Sequence, residues 1–86
     1  MPRISNFYGI AIWIYWTDHY PAHFHAEYGE HEILIRIEDL SIYTGFLPPR
    51  AFSLVMEWAL LHQEELKECW ELASKGLKPN KIAPLK

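Results

Sequence analysis

Ala22-His23-Phe24-His25-Ala26-Glu27-Tyr28 is the stretch that decides the fold. Its residues change character at every step, and a strand turns successive side chains to opposite faces. Read as a strand, it sets His23, His25 and Glu27 on one face and Phe24, Ala26 and Tyr28 on the other. Such a strand belongs to a sheet packed on one side, with ionisable groups presented on the second.

Upstream, Gly9 to Trp16 reads Gly-Ile-Ala-Ile-Trp-Ile-Tyr-Trp, β-branched and aromatic nearly throughout. It predicts a strand with Ile10, Ile12, Ile14 and Trp16 on one face. Thr17 to Pro21 is a turn, marked by Asp18 and Pro21. Downstream, Gly29-Glu30 turns the chain into a strand over His31–Glu38, with Ile33, Ile35 and Ile37 aligned. Glu38-Asp39 predicts a hairpin into a short strand near Ser41–Phe46. Consecutive short strands joined by tight turns make an antiparallel meander.

Pro48-Pro49 then opens a helix, because the first turn does not need the N–H that proline lacks. The helical pattern runs to Lys75, and Gly76 stops it. Ala51, Leu54, Val55, Trp58 and Leu61 form the stripe expected to cover the sheet. Phe52, Met56, Ala59 and Leu60 make the other side apolar as well, which points to a homodimer or a small protein partner on that face. His62 and Glu65 interrupt the stripe before Leu66, Cys69, Leu72 and Ala73 resume it. Residues 49–75 are therefore one helix or two, and in the second case Gln63–Gly76 folds back over the apolar face. The expected fold class is α+β: an antiparallel three- or four-stranded meander from Phe7 to Phe46, then a C-terminal helix or helix pair packed on one face. Residues 1–76 make a single domain, and residues 77–86 an extended Lys/Pro-rich arm.

Half of the 86 residues are hydrophobic and 15% are aromatic, enough for one core without disulfides. Cys69, the single cysteine, sits in the helical pattern and reads as a buried thiol. No apolar run approaches the roughly twenty residues of a membrane span, and no basic segment leads into an apolar one. The expectation is a cytoplasmic chain with no membrane partner. A net charge of −3 with scattered lysines disfavours nucleic acid as the main partner.

The chemistry concentrates where four of the five histidines fall, between His19 and His31. Residues two apart on a strand stand about 6.5–7 Å apart, close enough for two imidazoles to converge on one ion. His23 and His25, with His31 or Glu27 as a third ligand, would leave an open position on zinc or nickel. Without metal, His23, His25 and Glu27 can act as acid and base near neutral pH. The cupin-like spacing His23-x-His25-x4-Glu30 lacks its flanking glycines, and a chain this short with a long helix cannot supply a jelly roll. Arg50, in the first helical turn, is the candidate anion-binding group. His19, Tyr28, His62 and Glu65 are secondary candidates. Phe52, Met56 and Leu60 are the candidate interface.

Pro2-Arg3-Ile4-Ser5, Phe7, Gly9-Ile10 and Asp18-His19-x-Pro21-x-His23-Phe24-His25-Ala26-x-Tyr28-Gly29 together resemble the bacterial family catalogued as domain of unknown function 4160. Leu47-Pro48-Pro49-Arg50-Ala51, Trp58, Leu61-His62, Glu65-Leu66 and Trp70 fit the same pattern. Ala22 departs from it, standing where the family usually has a second proline. The resemblance implies a small stand-alone bacterial protein, often encoded beside another small protein, and with it the toxin-like half of a toxin–antitoxin-type pair.

Two functions follow as expectations. In the first, the histidine face acts by metal-assisted or acid–base chemistry on an anionic substrate. In the second, the chain is a non-catalytic interaction module that binds a small partner protein or itself through the apolar helix face.

Overall fold

The computed structural model describes residues 3–16 and 19–86. Pro2 of the family resemblance, and Thr17 and Asp18 of the expected turn, lie outside the described residues. The described strands are β1 (Arg3–Phe7), β2 (Ile10–Trp13), β3 (His23–Tyr28), β4 (His31–Arg36) and β5 (Ile42–Gly45). They form one sheet in the order β1-β2-β3-β4-β5, each pair antiparallel. The helices α1 (Pro49–Leu61) and α2 (Gln63–Ser74) follow. The meander has five strands rather than three or four. The extra one, β1, reads Arg-Ile-Ser-Asn-Phe, and a register shift between Arg3 and Ser5 breaks the alternation that would have revealed it.

Ile10, Ile12 and Ile14 share the core with Phe24 and Ala26 of β3 and with Ile33, Ile35 and Ile37. Val55 and Trp58 of α1 close over them, and the Trp58 ring meets Phe7 at 5.3 Å and Phe24 at 5.9 Å. Trp16 departs from the expected isoleucine face. The strand ends at Trp13, so period two no longer governs it, and its exposed indole donates to the Leu77 carbonyl at 3.0 Å.

The helical pattern resolves into two helices, with the break at His62. Gln63 explains the polar interruption, because its side-chain amide donates to the Ile37 and Glu38 carbonyls at 2.7 and 2.8 Å. Those carbonyls lie past the end of β4, where the ladder has stopped using them. The face expected to be free is only partly so. Ala59 is fully buried, being in register with Ala51, Val55 and Trp58; Phe52 and Met56 are half-buried, and Leu60 is 68% exposed. Leu61, expected in the sheet-covering stripe, is exposed because α1 ends there.

Residues 77–86 carry neither helix nor strand, yet they are held along the domain. Ile82 is buried and its N–H donates to the Ile4 carbonyl at 2.7 Å, while the Trp58 indole donates to the Ala83 carbonyl at 2.9 Å.

Candidate functional site

Strand register builds the site. Residues directly opposite each other in an antiparallel pair share a face. Trp13 stands opposite His25, and His25 opposite Leu34; His23 stands opposite Arg36, and Glu27 opposite Glu32. These side chains occupy the face away from Phe24, Ala26 and the helix-covered core.

His23 and His25 are nonetheless only 4% and 7% exposed, and aromatic rings pack against both. Tyr15 stacks on His25 at 4.1 Å between centroids. The rings of Tyr43 and Trp70 meet His23 at 5.3 and 5.4 Å. The two imidazoles lie 5.2 Å apart, inclined at 51°.

The hydrogen-bond partners fix how each ring is held. Nδ1 of His23 lies 2.7 Å from the Pro21 carbonyl, and a carbonyl only accepts, so Nδ1 carries the proton. Nδ1 of His25 lies 3.2 Å from Oε2 of Glu32, and an ionised carboxylate likewise makes Nδ1 the donor. In the neutral form of both rings, Nε2 is then the basic nitrogen.

Arg36 is fixed beside this pair. Its guanidinium donates to the Ser41 hydroxyl and the Ile42 carbonyl, both at 3.0 Å, and lies 5.0 Å from the centre of the Tyr43 ring. Ser41 in turn donates through its hydroxyl and amide to Asp39, and these two bonds hold the Asp39 carboxyl below its usual range. On the opposite flank, Arg3 lies 5.7 Å over the Trp13 ring.

The structure gathers some of the sequence candidates and separates others. Glu27 shares the face with both histidines, half-buried, but the carboxylate that reaches His25 belongs to Glu32. His31 stands opposite Tyr28, with the parity of Ile33 and Ile35, and its ring packs edge-on against Phe46 at 5.8 Å. It therefore belongs to the other side of the sheet from His23 and His25. Among the described residues, no three His, Cys, Asp or Glu side chains are grouped as a metal site. Arg50 lines a cavity of about 270 Å3 with Tyr8 and Tyr28, again on the Tyr28 side and away from the histidine pair. His19 is exposed between β2 and β3. His62 bonds Glu65 at 2.6 Å at the helix break.

Sequence reasoning missed Trp13, Tyr15, Glu32, Arg36, Tyr43 and Trp70 as neighbours of the site. For Glu32 and Arg36 the signal was present: they alternate with Ile33, Ile35 and Ile37 and so must face the histidines. Trp70 had no local signal, since only the placement of α2 brings it to His23.

No curated protein and no solved structure matches the chain. Residues 9–71, a span that holds both histidines with Glu32, Arg36, Tyr43 and Trp70, match the family model described as Domain of unknown function (DUF4160), and the chain belongs to that family.

Proposed function

We propose that this protein acts on an anionic substrate through acid–base chemistry at the His23–His25 pair. The observation that carries the reading is the anchoring of both rings through Nδ1, one by a carbonyl and one by the Glu32 carboxylate. His25 is the base: when its Nε2 takes a proton, Glu32 stabilises the imidazolium that forms. His23 is the acid. Arg36, whose guanidinium is already oriented by Ser41 and Ile42, holds the anion in place of the Arg50 expected from sequence.

Zinc or nickel on the same pair is the second reading. Anchoring at Nδ1 is also the usual outer-shell arrangement of a histidine that ligates through Nε2. Elemental analysis of the purified protein and of His23→Ala/His25→Ala separates the two. Metal held by wild type and lost from the double variant favours the metal reading.

In the family context the active chain is the toxin-like half of a two-protein pair. Induced expression in a bacterial host tests this directly. Wild type should arrest growth, while His25→Ala should not, at equal soluble yield. Arrest by both, or by neither, overturns the reading.

An interaction module remains the alternative, favoured by the exposure of Leu60 beside half-buried Phe52 and Met56. Its occupant is a second copy of this chain. The outermost strand β5 is exposed at all four residues, and two copies can pair the same edge about a two-fold axis. Phe52→Glu with Met56→Glu should turn a dimer into a folded monomer, measured by solution mass and circular dichroism. Unchanged mass or loss of folding overturns it.

A further inference from the structure

We propose that the substrate of the histidine face is single-stranded RNA, an inference that rests on the acid–base reading of His23 and His25. Three observations point to a ligand with flat bases and many hydrogen-bond acceptors.

The first is the pairing of aromatic rings with cations on both flanks of the histidines. Arg3 lies over Trp13 on the β1–β2 side, and Arg36 over Tyr43 on the β4–β5 side. Single-stranded nucleic acid is held in this way, with bases stacked on rings and phosphates near guanidinium groups.

The second is a pair of indole donors without acceptors. Among the described residues, Nε1 of Trp13 and Nε1 of Trp70 are buried and have no hydrogen-bond partner. Trp13 stands opposite His25, and the Trp70 ring is 5.4 Å from His23, so both indoles neighbour the pair. Burying a donor unpaired is costly, and a ligand rich in oxygen acceptors relieves it.

The third is the distribution of charge. Two of the three arginines, Arg3 and Arg36, are on this face, whereas five of the eleven acidic residues (Glu57, Glu64, Glu65, Glu68 and Glu71) are on the helices. A net charge of −3 thus hides a face that is less acidic than the whole. Glu27 and Glu32 stand together at one side of it, so the strand is placed along the line from Trp13 across the histidines to Tyr43.

The chemistry selects RNA over DNA. An acid and a base need a nucleophile to cleave a phosphodiester, and the 2′-hydroxyl of RNA supplies one within the substrate itself. His25 takes the 2′-hydroxyl proton as the 2′-oxygen attacks phosphorus. The bond from phosphorus to the 5′-oxygen breaks, and His23 supplies a proton to that oxygen. The products are a 2′,3′-cyclic phosphate and a 5′-hydroxyl end, with no oxidant or co-reactant required.

The test uses a short, mixed-sequence, fluorescently labelled single-stranded RNA and its deoxy counterpart. Binding is followed by anisotropy and cleavage by gel. Wild type should bind RNA and leave cyclic-phosphate ends, with the deoxy strand intact. Trp13→Ala and Tyr43→Ala should each weaken binding about ten-fold or more; Tyr43→Phe should recover most of it, and Trp13→Phe, which keeps a ring but lacks the indole donor, only part. Absence of binding, or full binding by both alanine variants, overturns the proposal. Cleavage of uridine 3′-(p-nitrophenyl phosphate), which carries its own 2′-hydroxyl, without binding of the RNA strand overturns it too, while leaving the acid–base reading standing. RNA bound through Trp13 and Tyr43 but left intact overturns the acid–base reading, and with it RNA as a substrate.

Discussion

His25 on β3 donates through Nδ1 to Glu32 on β4 at 3.2 Å, although the residue directly opposite Glu32 is Glu27. The bond therefore runs diagonally across the strand pair, within reach of long side chains. Two carboxylates stand side by side, and one leans toward the imidazole. Long-range nitrogen–proton NMR should find the proton on Nδ1 in the neutral forms of both His23 and His25. Glu32→Ala should disturb the His25 pattern and leave that of His23 unchanged. Because the Glu32 side chain is 43% exposed, this loss should cost about 1 kcal/mol of stability or less. An Nε2-protonated His25 in wild type would contradict the assigned roles.

Gly45 and Gly29 both adopt positive φ, at 95° and 60°, but only one has no room. A Cβ at Gly45 would fall 2.3 Å from the Glu32 carbonyl oxygen and 2.9 Å from the Ile33 Cα, both backbone atoms. Gly45→Ala should separate β4 from β5 and cost more than about 2 kcal/mol. Gly29→Ala, with nothing within 4 Å, should cost only about 1 kcal/mol for the left-handed backbone. Equal denaturant midpoints for the two variants would refute the distinction.

Trp58 is fully buried between Phe7, Phe24 and the C-terminal segment. Trp58→Ala should lose about 3–5 kcal/mol by cavity formation, read from urea unfolding. Ile82→Ala should lose about 2–5 kcal/mol, because this side chain near the end of the chain is a core residue. A neutral Ile82→Ala would mean that the segment merely rests on the surface.

Burial pushes the Cys69 thiol up to about 11, and Glu65 and Glu68 add to the effect. The folded protein holds this proton more tightly than the unfolded chain, whose thiol keeps its ordinary value of 9.0. The associated stability is complete below pH 9.0 and is lost as pH rises through about 11. Wild type should therefore lose stability between these pH values relative to Cys69→Ala. Thiol reagents at neutral pH should react with Cys69 only when the protein unfolds. Rapid labelling of the native protein would show the thiol to be open.

The order of elements and the two faces of the sheet were legible in the sequence because alternation and helical period are local properties. Ile10, Ile12, Phe24, Ala26, Ile33 and Ile35 occupy the core as their parity requires. The same parity put His23, His25 and Glu27 together on the other face, and it would have excluded His31 had it been carried into β4. β1 was hidden by its bulge, and the helix break by polar residues whose partners, the Ile37 and Glu38 carbonyls, are distant in the chain.

By itself, then, the sequence determined which residues alternate, where the chain turns, and which strand carries the imidazoles, since each of these follows from bonds between near neighbours. Only the tertiary structure decided that Glu32 rather than Glu27 reaches His25, that Arg36 rather than Arg50 stands beside the pair, and that Trp70 closes over His23. These depend on strand register and on where a helix crosses a sheet. Both are set by packing between segments that no local pattern encodes.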